Sequence, residues 1–374
     1  MGTFINRVVL KYGPPVGPWI GAAAAHVPMK SRPAFATIDV MKAIVQDKYG
    51  SPDDLALREV DKPAPADGEV LVRVHAASIN ARDWHIMRGD PYLARLAMRS
   101  VFGPSGPKRQ IRGSDVAGRV EAVGRGVTRF RPGDEVYGDV CDMDGAFAEY
   151  VCVPDRQMEH KPTNLTFEQA AAVPMAGCTA LLGLREVGRV TAGQQVLING
   201  ASGGVGTFAV QIAKAFGAKV TAVCSTRNIE LVRSLGADRV LDYTREDFAR
   251  DGQRYDMVFD LVANRSLADL RRALTPSGVV VLSGGGVSRN GRPHVTGPMG
   301  LTIKAQVASR FVRHRLVTLS GMSPTAELLA DLRELIESGQ VLPAIDRTFP
   351  LAQVPEAIRY LEVEHARAKV VITV

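Results

Sequence analysis

The order of apolar and polar positions divides most of the chain into two parts. In the first part, which runs from 41 to about 174, short stretches of alternating apolar and polar residues are separated by Gly, Pro and Asp turns. A period of two in stretches this short is typical of half-buried strands. This part is therefore predicted to be mainly β, with strands at 41–45, 71–76, 116–123 and 135–137.

In the second part, from about 175 to 317, apolar strand patterns alternate with helical patterns. Such alternation predicts an α/β fold with a doubly wound parallel sheet, covered by helices on both faces. Ligands of such sheets bind beyond the carboxyl ends of the strands. The predicted strands are 195–198, 219–224, 239–242, 256–260 and 278–283, and the predicted helices are 205–216, 228–235, 245–250 and 265–274.

The two ends of the chain follow other patterns. Residues 1–40 are rich in Gly, Pro and Ala and contain four basic residues and one acidic residue, which predicts a flexible extension. The composition also resembles an organelle transit peptide, and an upstream start codon accounts for it equally well. The predicted location is cytoplasmic, or mitochondrial if the extension is a transit peptide. At the other end, a helix at 326–339 and a strand at 369–374 are expected to rejoin the first part.

The composition is that of a soluble globular protein of 374 residues. Its four cysteines are scattered without a CxxC pair, so neither a disulfide framework nor a structural zinc site is expected. No apolar run in the sequence approaches the roughly 20 residues of a membrane span. The cysteines are Cys141, Cys152, Cys178 and Cys224.

The net charge of +7 is distributed unevenly, because residues 270–326 hold eight Lys or Arg and no acidic residue. A solvated face is the default interpretation. One alternative is an anionic, CoA-like substrate tail bound by Arg310, Arg313 or Arg315. Another is weak contact with a membrane surface through a basic amphipathic helix at 304–315. Nucleic acid is not expected as a partner, because the basic residues are not interleaved with aromatic ones.

A glycine-rich turn lies between the predicted strand 195–198 and the helix that follows it. Glycine lets the backbone turn tightly and approach a diphosphate, and the helix N-terminus then faces the phosphates with free N–H groups. Strand, turn and helix occur in the order that a dinucleotide site requires. Aligned with G-x-G-x-x-G, the turn reads Ala201, Ser202, Gly203, Gly204, Val205 and Gly206, with alanine at the first position and Gly200 just before it.

The end of the second strand indicates which dinucleotide binds. An NAD site usually has Asp or Glu there, which bonds the ribose 2′-hydroxyl. This chain has Ser225-Thr226-Arg227-Asn228 instead, without a carboxylate. A guanidinium and hydroxyls bind a 2′-phosphate well, so we expect NADP(H), with Ser225 and Arg227 as main contacts. The alternative is that Arg227 is simply solvated.

Four motifs occur in order: GPSGPKRQIRGSDVAGRVEAVGRGVTRFRPGDEVYG, GAFAEY, AAAVPMAGCTAL and NGASGGVG. Together they resemble the medium-chain dehydrogenase/reductase superfamily, over almost the whole of 41–374. The resemblance implies a GroES-like β-rich catalytic domain, a Rossmann domain and an active site in the cleft between them. It also implies a homodimer formed through the Rossmann sheet edge. The expected segments are a flexible extension (1–40), the GroES-like domain (41–175), the Rossmann domain (176–317) and a C-terminal return to the catalytic domain (318–374).

Zinc-dependent members of this superfamily hold a catalytic zinc with a Cys and with the His of a G-H-E segment. At the matching positions this chain has Asn80 in place of the Cys and Ser114 in place of the His, and Asp115 follows in place of the Glu. Amide and hydroxyl groups are poor zinc ligands, so no metal is expected. Asp83 and His85 lie nearby, but His85 is interpreted as a surface or packing residue.

The segment from Ser78 to Asp83 resembles the S-I-N-x-x-D motif of the zinc-free quinone oxidoreductase branch. This resemblance implies that Asn80 lies near the nicotinamide and substrate, and that Thr179 lies near the carboxamide. It also implies that Tyr243 holds the 2′-phosphate, and it matches Lys369 to the lysine of a G-K pair. The usual lysine of the ribose loop is replaced by Asn228.

The expected activity is hydride transfer from NADPH to a quinone or to the β-carbon of an enone. Asn80 is the candidate for positioning the substrate, and Tyr137 is a candidate proton donor, with water or a purely structural tyrosine as alternatives. Other classes left open are an alcohol or carbonyl dehydrogenase of the same fold and a non-catalytic NADPH-binding scaffold. The expected cofactor contacts are Thr179, Ala201, Ser202, Gly203, Gly204, Val205, Gly206, Ser225, Arg227, Tyr243, Val262, Ser283, Gly284 and Lys369.

Overall fold

The computed structural model describes residues 39–284, 299–319, 324–364 and 366–374, which belong to the compact unit Ile38–Val374. Most of the predicted extension 1–40 therefore lies outside the described residues. The strands are β1 (Val40–Gln46), β2 (Leu55–Asp61), β3 (Glu69–Ile79), β4 (Asp115–Val123), β5 (Glu135–Asp139), β6 (Tyr150–Pro154), β7 (Met158–His160), β8 (Gln195–Asn199), β9 (Lys219–Cys224), β10 (Arg239–Asp242), β11 (Tyr255–Asp260), β12 (Leu274–Leu282), β13 (Arg315–Thr318), β14 (Ile345–Pro350) and β15 (Lys369–Thr373). The helices are α1 (Ala81–Arg88), α2 (Tyr92–Ala97), α3 (Phe167–Ala171), α4 (Pro174–Leu181), α5 (Gly204–Ala215), α6 (Ile229–Ser234), α7 (Leu267–Arg272), α8 (Met299–Ala308), α9 (Ala326–Glu337) and α10 (Val354–Val363).

The larger sheet has seven strands within the described residues and is mainly antiparallel. Its order is β14-β15-β3-β4-β5-β7, and β6 also pairs with β3. The alternating apolar residues of β3 pack into one core with residues of α1, β15 and α10. Strand β15 comes from the C-terminal end of the chain and pairs with β3, with Val370 opposite Ile79. This register brings Lys369 beside Asn80, the residue that follows β3.

The second sheet is parallel, with the order β10-β9-β8-β11-β12-β13 in the part of the chain that the structure describes. The order reverses between β8 and β11, and a crevice at the carboxyl ends of these strands is where ligands of such sheets bind. The five strands predicted in this region are confirmed. Strand β13 was not predicted.

The predicted helix at 245–250 is wrong, because local side-chain bonds hold this segment in turns. The carboxylate of Asp242 accepts hydrogen bonds from the backbone N–H of Thr244 at 3.0 Å and from its hydroxyl at 2.7 Å. The Asp247 carboxylate accepts one from the N–H of Ala249 at 3.0 Å. Such bonds offer the backbone an alternative to helical hydrogen bonding.

The predicted basic amphipathic helix at 304–315 is also wrong. Helix α8 ends at Ala308, a turn follows, and Arg315 is the first residue of β13. The Arg315 guanidinium donates to the carbonyl of Val187 at 3.1 Å. The basic residues therefore do not share one helical face, and the membrane-surface alternative loses its basis. Within the described ranges, no helix is long and apolar enough to cross a bilayer.

The first helix of the parallel sheet is fastened to the segment that leads into β14. The Gln211 side chain of α5 accepts from the N–H of Leu342 at 2.9 Å and donates to its carbonyl at 2.9 Å. It also donates to the carbonyl of Thr207 one turn earlier, at 2.9 Å. The Gln211 amide thus bonds both backbone groups of Leu342, as a neighbouring strand would. It thereby links α5 of the parallel sheet to the segment before β14 of the larger sheet.

We predict that Gln211→Leu lowers the free energy of unfolding by about 1–3 kcal/mol, because the backbone groups of Leu342 lose their partners. Equilibrium denaturation in urea measures this change. The control is Gln306→Leu, the same substitution at an exposed position of α8. Equal stability losses in the two variants would contradict the bridging role of Gln211.

Candidate active site

The glycine-rich turn is built so that two of its positions accept only glycine. Gly200 has a φ of +88°, a conformation that residues with a side chain rarely adopt. A Cβ on Gly206 would lie 2.2 Å from the carbonyl oxygen of Gly200, a distance that no side chain can accept. The first and last glycines of the turn thus let α5 begin directly over the end of β8.

The start of α5 is suited to an anion. Its N-cap residue, Gly203, has no side chain to cap the helix, and the first helical N–H groups have no partners within a helix. The positive end of the helix dipole lies at the same place. Ala201 is buried below the turn and donates its N–H to the carbonyl of Val223 at 3.0 Å. Gly204 and Val205 open the helix, so the fingerprint residues form one continuous cradle that fits a diphosphate.

The ribose loop is connected to the glycine-rich turn through Asn228. The Asn228 amide donates to the Ser202 hydroxyl at 2.9 Å and to the Ser225 hydroxyl at 3.3 Å. Its Oδ1 atom is buried and has no hydrogen-bond partner among the described residues. Asn228 was noticed in the sequence only as a replacement for lysine. The signal that could have identified it was a polar side chain in the short loop that follows the second strand.

Arg227 points toward the C-terminal segment. Its guanidinium donates to the backbone carbonyl of Glu364 at 2.9 Å. It lines a cavity of about 230 Å³ together with two further guanidinium groups, two carboxylates and a phenol. Tyr243, which is 46 % exposed, follows β10 and donates its N–H to the carbonyl of Cys224, one residue before Ser225. The other lining residues of the cavity are Asp346, Arg347, Tyr360, Glu364 and Arg367.

One carboxylate does lie close to the ribose loop, at the end of the third strand rather than the second. The hydroxyl of Thr226 donates to the carboxylate of Asp242. This bond, reinforced by those from Thr244, lowers the pKa of the Asp242 carboxyl. Both oxygens of the Asp242 carboxylate therefore already accept hydrogen bonds, from Thr226 and from Thr244.

The ends of the strands across the crevice converge on Asp260. Its buried carboxylate accepts from the Asn199 amide at 2.8 Å and from the N–H of Val262 at 3.1 Å. Burial raises the pKa of this carboxyl. Ser283 donates its N–H to the carbonyl of Asp260 at 3.0 Å, and Gly284 follows it with a φ of +81°. The predicted contacts Val262, Ser283 and Gly284 therefore lie together, whereas Asn199 was missed.

At the end of β3, Asn80 belongs to a buried polar cluster. Its amide donates to Asp115 Oδ2 at 2.9 Å and to the hydroxyl of Ser114 at 3.5 Å, and its Oδ1 accepts from the Lys369 ammonium at 2.6 Å. Asp115 Oδ2 also accepts from the Ser78 hydroxyl at 2.8 Å and lies 3.2 Å from Lys369 Nζ. Lys369 was predicted to contact the cofactor, but the structure directs its ammonium into this cluster instead.

Thr179 is connected to the same cluster through α4. Asp115 Oδ1 accepts the backbone N–H of Met175 at 3.0 Å, and the Thr179 hydroxyl donates to the carbonyl of Met175 at 2.7 Å. Asn80, Asp115 and Thr179 thus lie around one point where the two sheets meet. The roles that the family resemblance implies for Asn80 and Thr179 beside a nicotinamide stay predictions.

Further acidic groups surround the cluster in a water-poor environment. Asp139 is paired directly across from Asp115, and burial together with that neighbouring carboxylate raises the pKa of Asp139 to about 7. Burial raises the pKa of Asp83 to about 6. Two arginines compensate part of this charge, because Arg82 and Arg112 bond the two oxygens of one further carboxylate, Asp144. Asp115, Asp139 and Asp144 were not among the predicted site residues.

Tyr137 does not belong to this site. Its side chain is completely buried, and its hydroxyl donates to the backbone carbonyl of Leu329 in α9 at 2.6 Å. Burial raises the pKa of the phenol well above its usual value. The predicted role as a proton donor is therefore wrong: the tyrosine joins β5 to α9.

The two positions that hold zinc in zinc-dependent members do meet, but as an amide and a hydroxyl. Asn80 Nδ2 lies 3.5 Å from Ser114 Oγ, and a lysine ammonium already occupies the other side of the amide. His85 Nδ1 lies 3.0 Å from the carbonyl oxygen of Asp90, away from this pair. Among the described residues, no group of three or more His, Cys, Asp or Glu is arranged to hold a metal ion. These side chains do not fit a catalytic zinc.

Comparison with known proteins agrees with this architecture. Residues 66–163 match the family described as alcohol dehydrogenase GroES-like domain, and residues 235–372 match the family described as zinc-binding dehydrogenase. The bovine mitochondrial NAD(P)H oxidoreductase RTN4IP1 is 36 % identical in an alignment of 360 residues, which covers 90 % of this chain and 89 % of the relative. The tomato (Solanum lycopersicum) 2-methylene-furan-3-one reductase is 37 % identical, over 89 % of this chain and 79 % of the relative. The solved quinone oxidoreductase of Coxiella burnetii superposes with a TM-score of 0.76 at 30 % identity, over 90 % of this chain and all of that one.

The chain therefore belongs to the medium-chain dehydrogenase/reductase superfamily and is an enzyme, a nicotinamide-dependent oxidoreductase. Within that superfamily it falls in the quinone oxidoreductase-like branch.

We predict that Tyr137→Phe leaves kcat within about twofold of the unchanged enzyme and lowers the free energy of unfolding by about 1 kcal/mol. The ring keeps its packing, and only the hydrogen bond to Leu329 is lost. Steady-state kinetics and urea denaturation measure the two effects. A large fall in kcat with unchanged stability would restore Tyr137 as a proton donor.

Proposed function

We propose that this enzyme transfers hydride from NADPH to a quinone or to the β-carbon of an α,β-unsaturated carbonyl, without a metal ion. The observation that carries the proposal is the hydrogen-bonded group of Asn80, Ser114 and Lys369 at the positions where zinc-dependent members hold their metal. The names of the tomato and Coxiella proteins describe reduction of an enone-type furanone and of quinones. They support the same two substrate classes for this chain.

A bound nicotinamide dinucleotide would supply the hydride. The cradle formed by the glycine-rich turn and α5 would hold its diphosphate, and we propose Thr179 and Val262 as contacts at its nicotinamide end. For the 2′-phosphate, we propose Ser225, Arg227 and Tyr243. The three guanidiniums around the cavity of about 230 Å³ support a phosphate at this end, because they outnumber the two carboxylates there.

Asn80 is the proposed contact for the substrate. When hydride adds to the β-carbon of an enone, negative charge gathers on the carbonyl oxygen, and a donor fixed in a dry site stabilises it. One Nδ2 proton of Asn80 is committed to Asp115 at 2.9 Å, while the other has only Ser114 at 3.5 Å. That second proton is the donor we assign to the oxyanion. The α-carbon then takes its proton from water.

The family's dimeric assembly is carried over as part of the proposal. Strand β13 ends the parallel sheet on one side among the described residues, and Val307 and Phe311 near it are 56 % and 82 % exposed. Apolar residues beside an unpaired strand edge favour a second copy as the partner.

The cellular location stays a prediction. The bovine relative is named as mitochondrial, and residues 1–38 of this chain lie outside the described part of the structure. We therefore keep two alternatives, a cytoplasmic enzyme and one that residues 1–40 direct to the mitochondrion.

The activity is tested by following NADPH consumption with a panel of quinones, enones, aldehydes and ketones, with and without a strong zinc chelator. We expect chelator-resistant turnover of quinones or enones and little with simple aldehydes, because one amide proton polarises a carbonyl less than a metal does. NADH in place of NADPH is the control for the cofactor. Chelator-sensitive turnover of aldehydes or alcohols would contradict the proposal, and tight NADPH binding without any turnover would favour the scaffold alternative.

The assignment of Arg227 is tested by reversing its charge. We expect Arg227→Asp to raise the KM for NADPH by about tenfold or more and to leave kcat and the KM for NADH nearly unchanged, since only the 2′-phosphate is repelled. Arg245→Asp is the matched control, an exposed arginine that pairs with Asp242 on the next loop. If both variants raise the KM for NADPH equally, the effect is one of overall charge and Arg227 is not a contact.

A further inference from the structure

Lys369 is a charged side chain that the fold removes from water. It is 2 % exposed, and an ammonium so buried is tolerated only when it is paired and hydrogen-bonded. Its nitrogen lies 2.6 Å from Asn80 Oδ1, 3.2 Å from Asp115 Oδ2 and 3.3 Å from the carbonyl oxygen of Ile79. The three donors of the ammonium thus all have acceptors, and none of these acceptors belongs to the glycine-rich turn.

This arrangement determines which way the Asn80 amide faces. An ammonium can only donate, so the side of the amide that faces Lys369 must be the oxygen. The Asp115 oxygen that faces the other side accepts from the Ser78 hydroxyl and from Lys369, so the amide must present its NH₂ group there. The lysine and the aspartate together exclude the flipped amide, in which two acceptors and two donors would oppose each other.

The same lysine is also joined to the turn that would hold the diphosphate. Ala368 donates its N–H to the carbonyl of Ser202 at 2.7 Å and forms a bridge with Gly203. A Cβ added to Gly204 would lie 3.0 Å from Cδ of Lys369, so the aliphatic stem packs against the start of α5. The Lys369 side chain therefore contacts the start of α5 with its stem and Asn80 with its ammonium, and so connects the proposed diphosphate cradle to the proposed substrate contact.

We propose that Lys369 is a positioning residue, which fixes the orientation of the Asn80 amide and its place relative to the glycine-rich turn, and is not a ligand of the nucleotide. The proposal rests on the proposed function in taking Asn80 as the group that meets the substrate. It assigns Asp115 as the partner that holds the ammonium in place. The orientation of the amide can be measured without any reaction.

The first experiment compares Lys369→Met with Lys161→Met. Lys161 is nearly as buried, bonds the carbonyl of Leu165 at 2.6 Å and lies outside the site, so it controls for the loss of a buried ammonium. We expect Lys369→Met to lower kcat about tenfold to a hundredfold, as misplacement of a reacting contact does. The Kd for NADPH, measured by titration of protein fluorescence, is expected to change less than about threefold. Lys161→Met is expected to change neither quantity.

The second experiment observes the amide itself, in protein labelled with ¹⁵N at asparagine and free of cofactor. The side-chain signals of Asn80 are assigned by their loss in Asn80→Asp. We expect them to shift or broaden in Lys369→Met and to stay in place in Lys161→Met. Lys369→Met leaves a buried carboxylate without its cation, so a second variant combines it with Asp115→Asn, which removes that charge. The double variant is expected to fold but to keep the low kcat and the displaced signals.

Three results would overturn the proposal. A Kd for NADPH that rises tenfold or more while kcat is retained would make Lys369 a nucleotide ligand. Unmoved Asn80 signals in the lysine variants would show that the amide is oriented without it. Full kcat in the double variant would also show that the Asn80 amide is oriented without Lys369. If the unchanged enzyme reduces no quinone or enone, the proposed function fails on its own, and the amide signals and the Kd still decide the role of Lys369.

Discussion

The buried contact between Lys369 and Asp115 is the interaction on which the site depends. Each charge would be costly in this water-poor place without the other, and removing one partner leaves the second uncompensated. The pair can form only if β15 lies beside β3 and β4 beside β3 on the other side, as the register of the larger sheet has it. The C-terminal strand therefore does more than complete the sheet. It delivers the cation that a carboxylate and an amide at the ends of β4 and β3 require.

From this pair the consequences extend in two directions. Toward the parallel sheet, Asp115 accepts the N–H of Met175 at the start of α4, so the cluster also fixes the helix that carries Thr179. Toward the glycine-rich turn, the residue before Lys369 bonds Ser202, which in turn accepts the amide of Asn228. The ribose loop has a neutral amide where the branch usually has lysine, and its positive charge comes from Arg227 and from arginines near the C-terminus. If the cofactor is NADPH, as we propose, the positive charge opposite its 2′-phosphate comes from Arg227, one residue earlier in the loop, and from the C-terminal segment.

The sequence allowed prediction of those features that depend on local periodicity. Alternating strands and strand–helix repeats predicted both sheets, and the glycine-rich turn was recognisable because its glycines are required by backbone contacts a few residues apart. Features that depend on distant contacts were not predictable. The hydroxyl of Tyr137 finds its acceptor 192 residues away, and the Lys369 ammonium finds Asn80 across 289 residues. The helix expected at 245–250 failed for a local reason, the capping of the chain by Asp242, which competes with helical propensity.

If the enzyme works without a metal ion, as we propose, the internal ammonium has a chemical consequence. A metal ion with an open position binds the substrate oxygen directly, but Lys369 has spent its donors on Asn80, Asp115 and Ile79 and has none to offer. In the proposed reaction, polarisation of the substrate is then left to one amide proton of Asn80. Such a weak electrophile suits acceptors that spread the incoming charge themselves, as an enolate or a hydroquinone anion does, and suits an isolated aldehyde poorly, whose alkoxide keeps the charge on one oxygen. In the proposed reaction, the buried pair that holds the site together thereby also favours conjugated acceptors over isolated carbonyl groups.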